Sequence, residues 1–160
     1  MGLKLGTPFT LPCGHVLPNR FMKGAMTEQM SDANNAPTET LVRLYERWGR
    51  GGCGALLTGN VMVDRRALEG PRNVAVEDER DLPMLRRWAD AAQANGSQLW
   101  MQISHPGRQT PRGVSREVVA PSAVPLSGSY TFLFTKPRTL TEAEIHAIIA
   151  RFAETARVAK

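Results

Sequence analysis

The chain has 160 residues, 42% of them apolar and 22% charged, which is globular composition and argues against a disordered chain. No apolar run approaches the ~18 residues of a membrane-spanning helix, and the first 20 residues lack the apolar run of a signal peptide, so a cytoplasmic, membrane-free protein is expected. The net charge of +5 comes from 16 Arg and 4 Lys scattered along the chain; with no basic cluster, a nucleic-acid partner is not expected.

The predicted elements alternate in type. Lys4 to Leu11, a turn at Pro12-Cys13-Gly14 and His15 to Leu17 read as a hairpin. A first short apolar segment runs from Phe21 to Met26. Thr38 to Trp48 places Leu41, Leu44, Tyr45 and Trp48 on one helical face, with Gly49 expected as its C-terminal cap. The second apolar segment, Gly54 to Val63, reads as a strand buried on both faces. Asp81 to Asn95 is a helix by the stripe Leu82, Leu85, Trp88, Ala89 and Ala92, with Gly96 beyond it. Ser97 to Ser104 is the third apolar segment. A loop rich in Pro and Gly follows from Pro106 to Leu140, a length that points to function. The last helix, Thr141 to Ala159, opens on a Thr141/Glu144 capping box, and Ile145, Ile148, Ile149, Phe152 and Ala156 mark its expected apolar face. A hairpin followed by three β and α alternations implies an α/β fold with a parallel sheet.

Ligands of such sheets sit beyond the carboxyl ends of the strands. Thr27, Asn60, Gln102, Ser104 and His105 follow or end the three strands, so they should converge on one face. Hydroxyl and amide groups dominate there, with no carboxylate pair, which suits a planar, amide-rich ligand better than hydrolysis. Gln102 could equally satisfy neighbouring backbone groups; its place at the strand end favours a ligand. Rival motifs fail. Gly49 to Gly54 is glycine-rich but follows a helix and opens a strand, the reverse of a phosphate loop. Ser104 and His105 are adjacent and lack a GxSxG context. His15 and His146 read as solvated. Cys13 and Cys53, 40 residues apart, read as reduced, buried small residues, and no metal site is expected.

Three stretches carry a family resemblance. Leu17-Pro18-Asn19-Arg20-Phe21 followed by Ala25-Met26-Thr27 resembles the opening of the Old Yellow Enzyme family of FMN-dependent oxidoreductases. Leu56 to Val63 resembles that family's second strand, and Gln102-Ile103-Ser104-His105-Pro106-Gly107-Arg108 its Gln-x-x-His-x-Gly-Arg signature. The resemblance runs from about Leu5 to the end of the chain.

It implies that residues 1–160 are the N-terminal part of a single FMN-binding domain: the closing hairpin and the first three βα units of a (β/α)8 TIM barrel, incomplete at this length since a whole barrel takes about 250 residues. The backbone of Gly24, Ala25 and Met26 would lie against the flavin, Thr27 would bond near its O4 and N5, Asn60 would touch the ring edge, and Gln102 would bond the pyrimidine side. Gln29 and Ser104 would line the substrate pocket. NADH or NADPH would reduce the flavin, which would pass hydride to an activated alkene such as an enone. The carbonyl-anchoring pair, the proton donor and the phosphate-binding arginines are expected beyond Lys160, so no catalytic residue is assigned within the chain, which should be inactive alone. His105 belongs to the third signature in a structural role. The alternative is a non-catalytic half-barrel that serves as a binding or assembly module, alone as a homo-oligomer or with a missing C-terminal half.

Overall fold

The computed structural model describes residues 4–115 and 117–160. Strand β1 (Phe9–Thr10) pairs antiparallel with β2 (Val16–Leu17), closing the expected hairpin. Its first arm is shorter than predicted, because Lys4 to Thr7 forms a turn, with Thr7 N donating to the Lys4 carbonyl at 3.1 Å. Strand β3 (Met22–Lys23), helix α1 (Glu39–Arg50), strand β4 (Ala55–Met62), helix α2 (Leu82–Gln93), strand β5 (Gln98–Ser104) and helix α3 (Glu142–Ala159) follow. The three strands β3, β4 and β5 form a parallel sheet in that order.

The helix starts follow the sequence signals. The Thr38 hydroxyl caps α1, accepting from Leu41 N at 3.4 Å while donating to the Met30 carbonyl at 2.6 Å. Thr141 and Glu144 form the reciprocal capping box of α3. Gly96 adopts φ +83, the left-handed conformation that favours glycine after a helix. Gly49 is a correction: it lies inside α1, not at its cap. A Cβ there would collide with the Ala92 carbonyl, so the residue lets α1 and α2 cross at backbone contact.

The core lies between the sheet and these two helices. Leu41 and Tyr45 of α1, Leu56 and Val61 of β4, and Trp88 and Ala92 of α2 are essentially inaccessible. Tyr45 meets Trp88 edge-on with ring centroids 5.1 Å apart. Each such large apolar side chain contributes about 1.5–3 kcal/mol relative to exposure. Strand β4 is buried along nearly its whole length, as its apolar run predicts.

Four expectations are corrected by the structure. Of the segment from Phe21 to Met26, only Met22–Lys23 joins the ladder, and the chain then leaves the sheet. The loop from Pro106 to Leu140 contains a parallel pair, β6 (Val119–Ala120) with β7 (Arg138–Thr139), and two 3-10 turns, Gly107–Gln109 and Thr131–Leu133. Helix α3 buries a rotated face. Its inward strip carries Thr155 and Val158, with Ile148, Arg151 and Phe152 half-buried, whereas Ile149 is 58% exposed and Ile145 and Ala156 are also exposed. Polar groups fix that rotation: Thr155 donates to the Val76 carbonyl at 2.6 Å, and Arg151 pairs with Glu77 at 3.3 Å. Cys13 is exposed and Cys53 half-buried, both as free thiols, against the expectation of burial.

Candidate functional site

The Leu-Pro-Asn-Arg motif is a staple. Asn19 Nδ2 donates to the Gly52 carbonyl at 2.7 Å, and Asn19 Oδ1 accepts from Phe21 N at 3.0 Å. Gly54 N then donates to the Phe21 carbonyl at 2.9 Å, and Gly54 has no room for a Cβ against Asn19. This fixes where β3 starts relative to β4, and so what emerges at its far end.

At that end the strands deliver the predicted residues. The β4–β5 register runs Leu57↔Trp100, then Asn60↔Gln102. Thr58 and Gly59 fall in the irregularity between those pairs. The buried Thr58 hydroxyl accepts from Gln102 N at 2.9 Å and donates to the Gly59 carbonyl at 2.8 Å, so both that hydroxyl and the Gln102 amide are satisfied inside the irregularity. Leu99 and Met101 pack towards the helices, which puts Trp100 and Gln102 on the opposite face; Val61 does the same for Asn60. Ser104, two residues on, shares the Gln102 face and pairs with Met62. Trp100 and Met22 remain 37% and 48% exposed.

The segment 24–27 forms the rim. Gly24, Ala25 and Met26 are exposed, and a Cβ on Gly24 would meet nothing within 4 Å. Their amides join no backbone hydrogen bond among the described residues. Gln29 is exposed with φ +54, and its amide packs against Gly70. His105 is half-buried; its Nδ1 accepts from Gly107 N at 3.2 Å, which fits a turn-forming role.

Two features escape sequence reasoning. The face expected to be dominated by hydroxyl and amide groups, with no carboxylate pair, also holds one carboxylate: Glu69 Oε2 accepts from Asn60 Nδ2 at 2.6 Å and from Thr27 Oγ1 at 3.1 Å. Glu69 lies on the loop after β4, and no periodicity or motif marks it. Behind the rim, Glu28 Oε1 accepts from the Tyr45 hydroxyl at 2.6 Å, and Lys23 Nζ stands 3.5 Å from the same oxygen. Lys23 also donates to the carbonyls of Leu57 (2.9 Å) and Gly24 (3.0 Å) and lies over the Trp48 ring at 4.5 Å. Burial, with the Glu28 carboxylate beside it, pushes the Tyr45 phenol far above its ordinary value. A charged residue directly after Thr27 was the available signal for Glu28.

A cleft of about 610 Å³ lies elsewhere, between the end of β4, the loop 106–140 and α3. Asp64, Arg66, His105, Arg138, Glu144 and Arg151 line it. Its charges are spent on each other: Arg66 on Asp64 at 2.8 Å, Arg138 on Glu144 at 2.7 Å, Arg151 on Asp64 at 3.5 Å. None of Thr27, Asn60 and Gln102 reaches it.

A parallel sheet with amide and hydroxyl groups gathered at the carboxyl ends of its strands defines an α/β protein with a candidate ligand face. The chain belongs to the NADH:flavin oxidoreductase / NADH oxidase family, which it matches over residues 4–160. It is similar to the NADH-dependent flavin oxidoreductase iliE of Neonectria sp. (strain DH2), 38% identical over 174 residues, covering 98% of this chain and 23% of that protein. It is also similar to the NADH-dependent flavin oxidoreductase nadA of Aspergillus parasiticus, 41% identical over 153 residues, covering 87% and 34%. In fold it is similar to the old yellow enzyme homologue from Zymomonas mobilis (TM-score 0.85, 22% identity, 98% of this chain and 45% of that one). Morphinone reductase in complex with tetrahydroNAD is a second such likeness (TM-score 0.85, 21% identity, 99% and 46%). At those identities the structural likeness speaks for the fold alone. The chain spans less than half the length of each of these proteins. The family's cofactors are FMN and a nicotinamide, as the resemblance implied.

The residues present fit FMN. Exposed backbone amides at 25–26, an open face over Gly24 and the Gln102 amide suit a planar ring edged with carbonyls and ring nitrogens.

Proposed function

We propose that this chain supplies the flavin-side rim of an FMN-dependent NAD(P)H oxidoreductase that reduces an activated alkene such as an enone. In this reading its strands β3, β4 and β5, with their helices, are the first three units of an eight-unit barrel, within one domain that includes all of residues 1–160. The observation that carries it is the register pair Asn60↔Gln102 at the mouth, beside the open backbone of 24–26, in a chain of this family.

Each residue has a defined task. The backbone of Gly24 to Met26 gives the ring a flat wall. Gln102 orients the pyrimidine edge, and a donor there stabilises charge that develops on it. Thr27 and Asn60 border the O4 and N5 side. Gln29 and Ser104 border the substrate space. Lys23, Glu28 and Tyr45 hold that wall from behind and touch no ligand. Bound FMN supplies two-electron hydride chemistry between the nicotinamide and the alkene. The 160 residues alone hold FMN weakly and do not turn over.

The test is an assay of the purified chain with NADH, FMN and 2-cyclohexen-1-one, against free FMN. The expected rate equals that of free flavin, while a chain extended through the rest of the barrel consumes NADH and enone one for one. An extended chain that takes up no FMN contradicts the proposal. A second reading, a non-catalytic half-barrel that assembles through its inner face, is favoured by the exposure of Met22 and Trp100. A concentration-independent monomer in sedimentation counts against it.

A further inference from the structure

We propose that Glu69 is a positioning residue of the cofactor rim: it takes the protons of Thr27 and Asn60 away from the mouth and so biases the site against reduced flavin. The bias rests on the flavin reading above; the positioning rests on geometry alone.

One oxygen, Glu69 Oε2, accepts from Thr27 Oγ1 at 3.1 Å and from Asn60 Nδ2 at 2.6 Å. A hydroxyl has a single proton. Once Thr27 gives it to Glu69, Thr27 has only lone pairs for the ring and cannot donate to a flavin carbonyl. The bond from Asn60 Nδ2 to the same oxygen fixes which way the Asn60 amide points.

The loop is built to hold Glu69 in place. On one side, Leu68 N donates to Ser115 Oγ at 3.0 Å; on the other, Gly70 N donates to Asn73 Oδ1 at 2.6 Å. A Cβ on Gly70 would come within 2.7 Å of Gln29 Nε2, so the chain passes tightly beneath that side chain. The segment then returns to the sheet, where Met62 N donates to the Val74 carbonyl at 2.8 Å and Val76 N to the Met62 carbonyl at 2.9 Å. Glu69 is therefore held between two anchored neighbours.

Among the described residues, neutral donors hold Glu69. Lys23 pairs with Glu28, and Arg72 donates to the Ser31 carbonyl at 2.7 Å. No ion pair to Glu69 exists among the described residues. A carboxylate held by two neutral donors, beside a ring that gains electrons, disfavours the electron-rich state.

The test uses the chain itself and its Glu69→Gln and Glu69→Ala variants, with circular dichroism to confirm that each folds. Without flavin, the Asn60 side-chain amide in wild type should show one proton shifted downfield and slow to exchange. In Glu69→Ala it should collapse to the signature of a solvated amide. An Asn60 signal unchanged in a folded Glu69→Ala chain overturns the proposal. Wild type and Glu69→Gln are then titrated with oxidised FMN and, anaerobically, with dithionite-reduced FMN. The ratio of the two dissociation constants should move about tenfold towards the reduced form in Glu69→Gln, equal to ~30 mV for a two-electron couple. A ratio unmoved, or moved the other way, overturns the bias. If the Asn60 signal responds but neither form of FMN binds wild type, the flavin reading falls and the positioning of Thr27 and Asn60 by Glu69 stands.

Discussion

Asn60 and Gln102 are register partners only because β4 spends one residue more than β5 between Leu57 and Asn60. From the pair Leu57↔Trp100 the ladder advances three residues on one strand and two on the other. The Thr58 hydroxyl fills the gap as acceptor for Gln102 N. The bulge brings two amide side chains to one face at the mouth, which a regular ladder would not do.

Thr58→Val keeps shape and removes that acceptor. Thr58 is fully buried, so Gln102 N is left without a partner. The expected loss is about 1–3 kcal/mol in urea unfolding. FMN affinity should fall as well, because Gln102 is no longer held in register. Unchanged stability would mean that the ladder closes without the hydroxyl.

Tyr45→Phe removes one hydroxyl that serves two groups, Glu28 Oε1 and Gly59 N. The expected cost is about 1–3 kcal/mol. The phenol also shapes the alkaline limit. Its folded value is raised above the ordinary 10.0, so its contribution is full below pH 10 and is lost as pH rises further, where the unfolded chain releases the proton first. Unfolding midpoints measured from pH 8 to 11 should fall less steeply in Tyr45→Phe than in wild type.

His105 sets a limit on the acid side. Burial pushes its imidazole below the ordinary 6.5, opposed by Asp64 and helped by Arg151. The unfolded chain therefore takes up the proton first. Stability from this group is full above pH 6.5 and declines as pH falls through that value towards the lower folded one. Protonation also ends the Nδ1 acceptance from Gly107 N. His105→Asn, which retains an acceptor without the titration, should flatten the profile between pH 5 and 7 in chemical denaturation.

Gly49→Ala sets two effects against each other. Helix propensity favours Ala by about 1 kcal/mol. The added methyl meets the Ala92 carbonyl, which belongs to backbone and cannot swing aside. Steric conflict should win, for a net loss of about 1–3 kcal/mol in thermal unfolding. A more stable variant would show that α1 and α2 can separate cheaply.

The sequence made legible whatever is periodic or capped. Helix α1 follows from Leu41, Leu44, Tyr45 and Trp48, α3 from its capping box, and β4 from an uninterrupted apolar run. The Asn19, Asn60 and Gln102 motifs were readable because each is local. Glu69 was not, because its importance arises only when a loop folds back over two strand ends and sets it against Thr27 and Asn60. Gly49 misled for a related reason: at a helix end a cap and a close crossing leave the same residue, and only Ala92 tells them apart. The face of α3 misled because Thr155 and Arg151, both polar, are the groups that turn inward.

The most direct test of the account is a titration of the ¹⁵N-labelled chain with FMN, followed by two-dimensional NMR up to millimolar ligand. The account predicts shifts at Ala25, Met26, Thr27, Asn60 and Gln102, including the side-chain amides, and their loss in Gln102→Leu. Shifts confined instead to the cleft around Asp64, His105, Arg138 and Arg151, or no shifts at all, would contradict it.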